Sequence, residues 1–370
     1  MIPIGWKEYK LGEVCTVIAG QSPESKYYNN AGNGMPFYQG KKEFTNRYIG
    51  ETTVWTTNVT KVAQKGDILM SVRAPVGPIN YATQTCCIGR GLASIRNSEL
   101  LSQDFLFYFL LNIQDKISGH EGAVFGSINK TEIENLQIII PSLSEQQRIV
   151  DKLDTLFADI EKEKQIVQQN LQNVKELFES ESNTLLTSNT DDWTEKSLND
   201  VCKTISAGGD KPPVCSDYET ELCKVPIYSN GVANNGLYGY TDKPTVFEPA
   251  ITVSARGTIG FVCKREQPFC PIVRLITLVP KEDIDLSFFA YVLKLVVPQN
   301  TGSSIPQLTV PNLKPQKIKY PDLATQKVIA QKLDTLREQT QELEQIYTQQ
   351  IADLDELKQA ILKKAFNGEL

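Results

Sequence analysis

The sequence predicts an α+β protein in which two similar globular domains alternate with two long helices. Three observations predict this fold: the chain repeats itself in the same order at four places, each repeat contains short apolar runs bounded by glycine and proline, and each repeat closes on a long heptad-patterned segment. The domains are predicted at 1–143 and 189–323, and the helices at 144–188 and 324–370. We expect the helices to pair as an antiparallel coiled coil with an approximate two-fold axis.

The internal repeat is visible from the start of each half. Tryptophan, leucine, valine and cysteine recur with identical spacing as Trp6, Leu11, Val14 and Cys15, and again as Trp193, Leu198, Val201 and Cys202. Residues 68–73 then correspond to 251–256, the tripeptides 141–143 and 321–323 close the two domains, and the helices share Lys-Leu-Asp-Thr-Leu at 152–156 and 332–336. Four agreements in the same order indicate a duplicated unit.

Each globular domain is expected to combine short strands with a helix. Apolar runs at 67–72 and 250–254 lie among glycine and proline residues and predict equivalent strands. Apolar residues at helical spacing predict helices at 103–117 and 286–296. We expect the strands of each domain to form one strongly bent, irregular sheet.

The segments that close the repeats carry apolar residues in alternating steps of three and four, which is the pattern of helices that pack lengthwise. The first seam runs through Ile149, Leu153, Leu156, Ile160, Val167, Leu171, Val174, Phe178 and Leu185, and the second through Leu333, Leu336, Leu343, Tyr347, Leu354, Leu357 and Ile361. Such helices form a rod of about 60 Å at 1.5 Å per residue. The alternative is that each helix packs on its own domain.

The starts of these helices carry capping residues. Ser144 with Gln147 predicts a capping box at the first start. The second start has Ala324 in place of the serine, so Asp322 or Thr325 is expected to cap it.

The charge of the chain is distributed unevenly. Of the net charge of −6, residues 144–186 carry −4 and residues 324–370 carry −2, while the two globular parts are close to neutral. A DNA-binding face would therefore be a local basic patch. No run of eighteen apolar residues and no apolar signal segment is present, so we expect a cytoplasmic protein.

Few residues suit metal binding or catalysis. The eight cysteines include no Cys-x-x-Cys pair and His120 is the single histidine, so we expect no metal site and interpret the thiols as small buried apolar groups. Neither the Asn/Asp-Pro-Pro-Tyr/Phe tetrapeptide of amino-methyltransferases nor a Gly-x4-Gly-Lys-Ser/Thr phosphate loop is present. We therefore expect no catalytic site in this chain.

Two segments of the long helices resemble a known family. Pro-Ser-Leu-Ser-Glu-Gln-Gln-Arg-Ile-Val at 141–150 and Leu-Lys-Lys-Ala-Phe-Asn-Gly-Glu-Leu at 362–370 are similar to segments of the specificity subunit of Type I restriction-modification enzymes. The resemblance covers essentially the whole chain; it is specific in the helices and loose in the globular domains, which in this family carry the variable choice of sequence.

The resemblance implies a DNA-specificity subunit with an asymmetric, bipartite target. Each target-recognition domain would lie in the major groove of one half-site, and the helical rod would set the gap between the half-sites. Two modification subunits with S-adenosylmethionine-dependent adenine methyltransferase activity would bind the rod and parts of the domains. Restriction subunits, which are translocases and nucleases that require ATP and Mg²⁺, would join them. No cofactor is expected in this chain itself.

The first candidates for DNA contact are arginines at matching places in the two repeats. Arg73 and Arg256 each follow a serine-bearing strand beside glycine turns, where a long side chain extends outward. Arginine binds guanine and phosphate through two hydrogen bonds. The alternative is a structural ion pair that recurs because the fold recurs. Ser71 and Ser254 are candidates for phosphate contact, with capping of a turn as the favoured alternative.

Further candidates lie in the loops. Lys41 and Lys42 follow Gln39, and Gln39 and Asn230 are potential readers of adenine because amides pair with its major-groove edge. A solvated loop is the common alternative for such residues. The remaining candidates, chosen for their charge near glycines or strand ends, are Arg90, Lys130, Lys211 and Arg274.

Two other classes of function remain open from the sequence. The nearly neutral globular domains also suit a two-headed scaffold that holds proteins instead of DNA. A self-sufficient DNA enzyme would require an active site of unfamiliar type, because the known motifs are absent.

Overall fold

The computed structural model describes residues 3–118, 126–188, 190–297 and 307–370. Contacts divide the chain into two units, the first comprising Met1–Gln168 with Thr348–Leu370 and the second Gln169–Tyr347. The two long helices each contribute residues to both units. His120 lies outside the described residues.

The first unit contains short strands and mostly short helices. Its strands are β1 (Lys7–Lys10), β2 (Cys15–Ala19), β3 (Tyr28–Asn29), β4 (Met35–Tyr38), β5 (Trp55–Thr56), β6 (Val62–Ala63), β7 (Ile68–Ser71), β8 (Ile79–Tyr81), β9 (Cys86–Ile88), β10 (Leu92–Asn97) and β11 (Gln137–Ile140). Its helices are α1 (Leu11–Val14), α2 (Gln103–Asn112), α3 (Gln114–Ser118), α4 (Lys130–Glu134) and the first part of α5 (Leu143–Thr187). The strand orders are β2-β10-β7-β8, β3-β5-β4-β9-β6 and β1-β11.

The second unit repeats this plan. Its strands are β12 (Thr194–Ser197), β13 (Cys202–Ala207), β14 (Cys215–Ser216), β15 (Val225–Tyr228), β16 (Leu237–Thr241), β17 (Ala250–Val253), β18 (Val262–Arg265), β19 (Cys270–Pro271), β20 (Ile276–Pro280) and β21 (Lys317–Tyr320). Its helices are α6 (Leu198–Val201), α7 (Leu286–Val296), α8 (Val310–Leu313) and the first part of α9 (Leu323–Phe366). The strand orders are β13-β20-β17-β18, β14-β16-β15-β19 and β12-β21. One parallel pair recurs in both units, as β4 with β9 and β15 with β19.

Most of the elements predicted in the globular domains are present. β7 and β17 fall within 67–72 and 250–254, and α7 matches the predicted helix at both ends. The single helix predicted at 103–117 is two helices, α2 and α3. The backbone of Ile113 (φ −99°, ψ 2°) leaves helical geometry between them.

The prediction of one bent sheet is wrong. The described part of each unit contains two separate sheets and a two-stranded ribbon. In the first unit the two sheets come together where backbone approaches backbone without side chains. A Cβ atom added at Gly20 would lie 2.2 Å from the carbonyl oxygen of Gly89, so this contact requires glycine.

The core of each unit includes the first turns of a long helix. In the first unit, Ile149 and Leu153 of α5 are buried in one cluster with Phe105 of α2. In the second, Ile329 and Leu333 of α9 are buried with the α7 residues Phe288 and Phe289. Each long helix therefore begins by packing on a globular part, which was the alternative to pairing.

Away from these turns the long helices pack against each other and run antiparallel. In the first unit, Lys164 Nζ lies 2.6 Å from the Asp355 carboxylate, and Lys358 Nζ lies 2.8 Å from that of Glu161. Residue numbers rise along one helix as they fall along its neighbour. The predicted antiparallel pairing is confirmed, together with packing on the globular parts.

A contact between a cation and an aromatic ring recurs in both units, with the cation on α9 and the ring on α5 each time. In the first unit, Lys358 of α9 lies 5.0 Å from the centre of the Phe157 ring of α5. In the second, Arg337 of α9 lies 5.3 Å from the centre of the Phe178 ring of α5. Phe157 and Arg337 occupy the same position of the repeat, so the same contact is made with the residue types reversed.

The second heptad seam departs from its prediction at two positions. Leu343 and Leu357 are 37% and 47% exposed, whereas Thr340 is buried. The Thr340 hydroxyl donates to the Leu336 carbonyl oxygen at 2.9 Å, so its polar atom is satisfied without solvent. A polar residue that satisfies itself in this way is invisible to a pattern of apolar spacing.

The predicted cap of the first long helix is wrong, and one of the two predicted for the second is confirmed. Ser142 caps α5, since the Glu145 amide donates to its hydroxyl oxygen at 3.4 Å, and Gln147 bonds Asp151 instead of closing a box. Asp322 caps α9, because its carboxylate accepts hydrogen bonds from the amides of Ala324 and Thr325. These bonds, with one from the Thr325 hydroxyl, lower the pKa of Asp322.

The cysteines serve mainly as packing groups. All eight are free, and Cys15, Cys86, Cys87, Cys202, Cys223 and Cys270 are buried, as interpreted from the sequence. Burial raises the pKa of Cys15, Cys86 and Cys202 to about 12, which keeps these thiols protonated. In the described ranges, no helix combines the length and apolarity needed to cross a bilayer.

An ionic cluster fastens the loop after β4 to α5. Arg47 Nη1 lies 2.6 Å from Asp154 Oδ1, which also accepts from the Tyr108 hydroxyl at 2.6 Å. The Arg47 guanidinium lies 5.6–5.7 Å from the ring centres of Tyr81, Phe107 and Tyr108. The loop that carries Lys41 and Lys42 is thereby fixed to the core.

We expect Arg47→Met to lower the free energy of unfolding by about 1.5–3 kcal/mol, because charged hydrogen bonds of this strength are lost and Asp154 keeps only Tyr108. Tyr108→Phe should cost about 0.5–1.5 kcal/mol. The exposed Lys41→Met is the control and should stay within about 0.5 kcal/mol. Urea unfolding measures all three. An Arg47→Met variant as stable as the control would show that the cluster does not hold the loop.

Candidate nucleic-acid interface

In the first unit, candidate residues gather where β7 ends. Ser71 is buried, and its hydroxyl donates to the carbonyl oxygens of Arg73 at 3.1 Å and Pro75 at 3.0 Å. Ser71 therefore closes the turn that carries Arg73, which is the turn-capping role favoured from the sequence. Its hydroxyl donates to carbonyl oxygens of that turn. The Arg73 side chain is exposed.

Backbone hydrogen bonds bring two further segments beside this turn. The Val72 amide donates to the Gly91 carbonyl oxygen at 3.0 Å, and the Gly91 amide donates to that of Gln39 at 3.2 Å. Ser22 joins the same place: its hydroxyl donates to Gln39 Oε1 at 3.1 Å and accepts from the Arg90 amide at 3.2 Å. Arg73, Gln39 and Arg90 are thus parts of one surface.

Lys41 and Lys42 extend this surface from the short turn Lys41–Glu43, which follows Gln39 and Gly40. Gln39, Lys41, Lys42, Arg73 and Arg90 form what we call the first basic surface. Its four cations are exposed and form no ion pair with any residue of the described part of the chain. Uncompensated cations in a nearly neutral globular part produce a local positive potential.

Lys130 belongs elsewhere. It begins α4 and lies 3.4 Å from the Glu134 carboxylate, so its charge is locally compensated. The alternative for Arg73 was a structural ion pair, and among the described residues no carboxylate forms an ion pair with it.

In the second unit, Asn230 holds two turns together. Its Oδ1 accepts from the Ala255 amide at 2.7 Å, and its Nδ2 donates to the Val273 carbonyl oxygen at 2.7 Å. The residues next to these, Arg256 and Arg274, are exposed. Asn230, which the sequence offered as a reader of adenine, is engaged as a bridge between the two arginine-bearing turns.

Ser254 also has a structural position. It is buried, and its hydroxyl accepts from the Gly231 amide at 3.3 Å. Lys211 is exposed, and its ammonium lies 5.0 Å from the centre of the Tyr238 ring. Lys211, Arg256 and Arg274 form the second basic surface. Within the described ranges these three cations have no acidic ion-pair partner.

Arg73 and Arg256 occupy the same backbone setting. The carbonyl oxygen of the preceding residue accepts from the Ile128 amide in the first unit and from the Leu308 amide in the second, at 3.0 Å in both. The Arg256 guanidinium also donates to Gln307 Oε1 at 3.1 Å. Sequence reasoning missed Ser22 and Gln307, and alignment of the two repeats over their final loops would have placed Gln307 opposite Ser127.

The sequence also missed Arg265. It is buried, its guanidinium stacks 3.5 Å from the centre of the Tyr228 ring, and it donates to Thr252 and to the Asn235 carbonyl oxygen. Desolvation lowers the pKa of Arg265. The side chain thereby joins β18 to β17, to Tyr228 of β15 and to the turn at Asn235. The described residues contain no group of three or more histidine, cysteine, aspartate or glutamate side chains arranged to hold a metal ion.

The chain contains two duplicated units, and each has an exposed basic surface and a part of both long helices. This arrangement defines a two-site recognition protein for nucleic acid. A sequence profile described as the Type I restriction modification DNA specificity domain matches residues 3–169 and 190–352, one match to each repeat. The chain belongs to this family of DNA-recognition subunits.

Curated relatives carry corresponding descriptions. The chain is 42% identical over 184 residues to the putative type I restriction enzyme MjaX specificity subunit of Methanocaldococcus jannaschii, an alignment that covers 48% of this chain and 43% of that one. It is 27% identical over 347 residues to the putative type I specificity subunit S.MpnORF507P of Mycoplasma pneumoniae, covering 89% of each.

Solved structures share the fold. One chain, from work on complex assembly and conformational transition of the type I R-M system, matches with a TM-score of 0.84 at 21% identity over the full length of both chains. The HsdS subunit of Thermoanaerobacter tengcongensis matches with a TM-score of 0.60 at 21% identity, over 100% of this chain and 98% of that one.

Structural and exposed residues of these surfaces should separate in a stability measurement. We expect Ser71→Ala and Ser254→Ala to lower the free energy of unfolding by about 0.5–1.5 kcal/mol, because each removes a buried hydrogen-bonding hydroxyl. Arg73→Ala and Arg274→Ala should change it by less than about 0.5 kcal/mol. Thermal unfolding of the four variants tests this, and a marked loss on removing either arginine would assign it a structural role.

Proposed function

We propose that the chain reads an asymmetric, interrupted DNA target, with one half-site for each basic surface. The observation that carries this proposal is the pair Arg73 and Arg256, which share one backbone setting but have different neighbours. Gln39 and two lysines accompany the first arginine, whereas Arg274 and Lys211 accompany the second. The same framework with different side chains suits two different half-sites.

The gap between the half-sites would be set by α5 and α9. Each helix contributes to both units: α5 has buried residues in the first core and Leu186 in the second, and α9 has buried residues in the second core and Leu362 in the first. A length of helix is a fixed distance, because each residue adds about 1.5 Å.

The chain would act through partners that supply the chemistry. We infer two modification subunits, which carry S-adenosylmethionine and the adenine methyltransferase, and restriction subunits, which use ATP and Mg²⁺. This chain would hold no cofactor and contribute no catalytic group, and the complex would act on DNA in the cytoplasm. Methylation or cleavage by the chain alone would contradict this assignment.

Exposed apolar side chains on the long helices support two equivalent protein partners. Ile166 and Ile346 occupy the same position of the repeat and are 46% and 44% exposed. Leu177 and Leu357 form a second such pair, each 47% exposed. Each unit therefore offers one isoleucine and one leucine at equivalent helical positions, and apolar surface of this kind suits protein contacts.

The proposal is tested by mapping adenine methylation in cells that hold this chain with its modification subunit, against cells that lack this chain alone. We expect a two-part interrupted motif that disappears with the chain. Arg256→Ala should weaken binding to a duplex with both half-sites by about 1–3 kcal/mol, through one half-site only. Methylation that is unchanged by loss of the chain would favour the protein scaffold.

Partner stoichiometry tests the apolar positions. We expect Ile346→Glu to reduce the complex from two modification subunits to one, because a charge placed in an apolar contact loses its solvation. Ile166→Glu should do the same, and the double variant should bind none. Gln345→Glu is a matched control, because it adds the same charge at an exposed polar position next to Ile346. Native mass spectrometry gives the counts, and two bound subunits in the double variant would exclude these positions from the interface.

A further inference from the structure

Val273 and Arg274, the second of which belongs to the second basic surface, both have left-handed backbone conformations. Val273 has φ +52° and Arg274 has φ +59°. A β-branched residue is rarely found there, because its Cβ substituents crowd the backbone. At the corresponding place in the first unit, Arg90 and Gly91 both have φ outside the positive range. The conformation therefore belongs to the second unit and not to the shared fold.

Three hydrogen bonds to two other segments hold this turn. The Val273 amide donates to the Gly209 carbonyl oxygen at 2.8 Å, and the Arg274 amide donates to that of Gly208 at 3.0 Å. Asn230 Nδ2 donates to the Val273 carbonyl oxygen at 2.7 Å. A Cβ atom at Gly208 would lie 2.6 Å from the Pro271 carbonyl carbon, so the approach of these segments requires glycine. Unfavourable backbone geometry persists where surroundings fix it in this way, and it is common at functional sites.

Packing does not explain the choice of valine. The Val273 side chain is 46% exposed, and it is absent from the buried clusters of the second unit. Glycine would adopt this conformation without strain. The exposed valine side chain is held in an unfavourable conformation, between Arg274 and the Asn230 side chain that bridges to the Arg256 turn. This arrangement indicates that the valine makes a contact outside the chain.

We propose that Val273 is a specificity-determining residue of the second unit and that Asn230 is the residue that positions it. The inference rests on the proposed DNA-recognition function. The valine methyl groups contact the 5-methyl group of a thymine in the major groove, the one apolar group that distinguishes this base there. Arg274, the next residue, contacts guanine or phosphate. Asn230 acts through the turn and does not itself read a base.

The test uses the complex with its modification subunit and duplexes that contain the mapped target. Each thymine of the half-site that Arg256→Ala weakens is replaced in turn by deoxyuridine, which removes only the methyl group. We expect the wild-type complex to lose affinity about three- to ten-fold at one position. Val273→Gly should bind the thymine and uracil duplexes equally, with a melting temperature that is unchanged or higher. Val273→Ala is an intermediate variant that keeps a single methyl.

Asn230→Ala should reduce discrimination at the same base pair, and it should add nothing in a Val273→Gly background because the two residues act on one contact. A purely structural role would lower the melting temperature without changing discrimination.

The outcomes separate this inference from the proposed function. A wild-type complex without any preference for the mapped half-sites would contradict the function itself. Two outcomes would overturn this inference alone, provided that the wild-type complex reads both half-sites. In the first, the wild-type complex binds every uracil duplex as tightly as the thymine duplex. In the second, the Val273→Gly complex distinguishes thymine from uracil as well as the wild-type complex does.

Discussion

Burial of the first turns of each long helix in a globular core is the constraint on which the rest of the structure depends. Ile149 and Leu153 in one unit, and Ile329 and Leu333 in the other, belong to the same clusters as the phenylalanines of α2 and α7. A helix held in this way cannot turn relative to its sheet without opening the core, whose packing tolerates little change. The basic surface at the strand ends is therefore fixed relative to the first turns of the helix that begins in the same unit.

The two basic surfaces show how one backbone supports two different sets of side chains. Equivalent backbone hydrogen bonds form the turns after β7 and β17, where the amides of Gly77 and Gly260 donate to the carbonyl oxygens of Ser71 and Ser254. The neighbouring positions change from Arg90 and Gly91 to Val273 and Arg274. Structural residues hold the loops, and exposed residues are free to vary without loss of the fold. The net charge of the chain gives no sign of this arrangement, since a few unpaired cations on a neutral unit suffice for a local positive patch.

The duplicated organisation, the antiparallel helices and the matched arginines could be predicted from the sequence because each depends on spacing that recurs. Contacts between distant residues could not. Thr340 enters the helix seam through a hydrogen bond to its own helix, Arg47 reaches α5 from a loop more than one hundred residues earlier, and Asn230 bonds two turns that the sequence separates. The division of each domain into two sheets was also hidden, because it depends on which strands pair with each other, and the spacing of apolar residues does not specify a strand's partner.

The most direct test of the proposed recognition of a two-part DNA target is a matched insertion. Seven residues in heptad register would be added to α5 after Gln168 and to α9 after Tyr347, where the chain passes between the units. Seven residues preserve the seam and lengthen each helix by about 10 Å. The methylated motif of this variant should keep both half-sites and lengthen the gap by about three base pairs, since each base pair rises 3.4 Å. An altered half-site, or an unchanged gap in a folded complex, would contradict this mechanism.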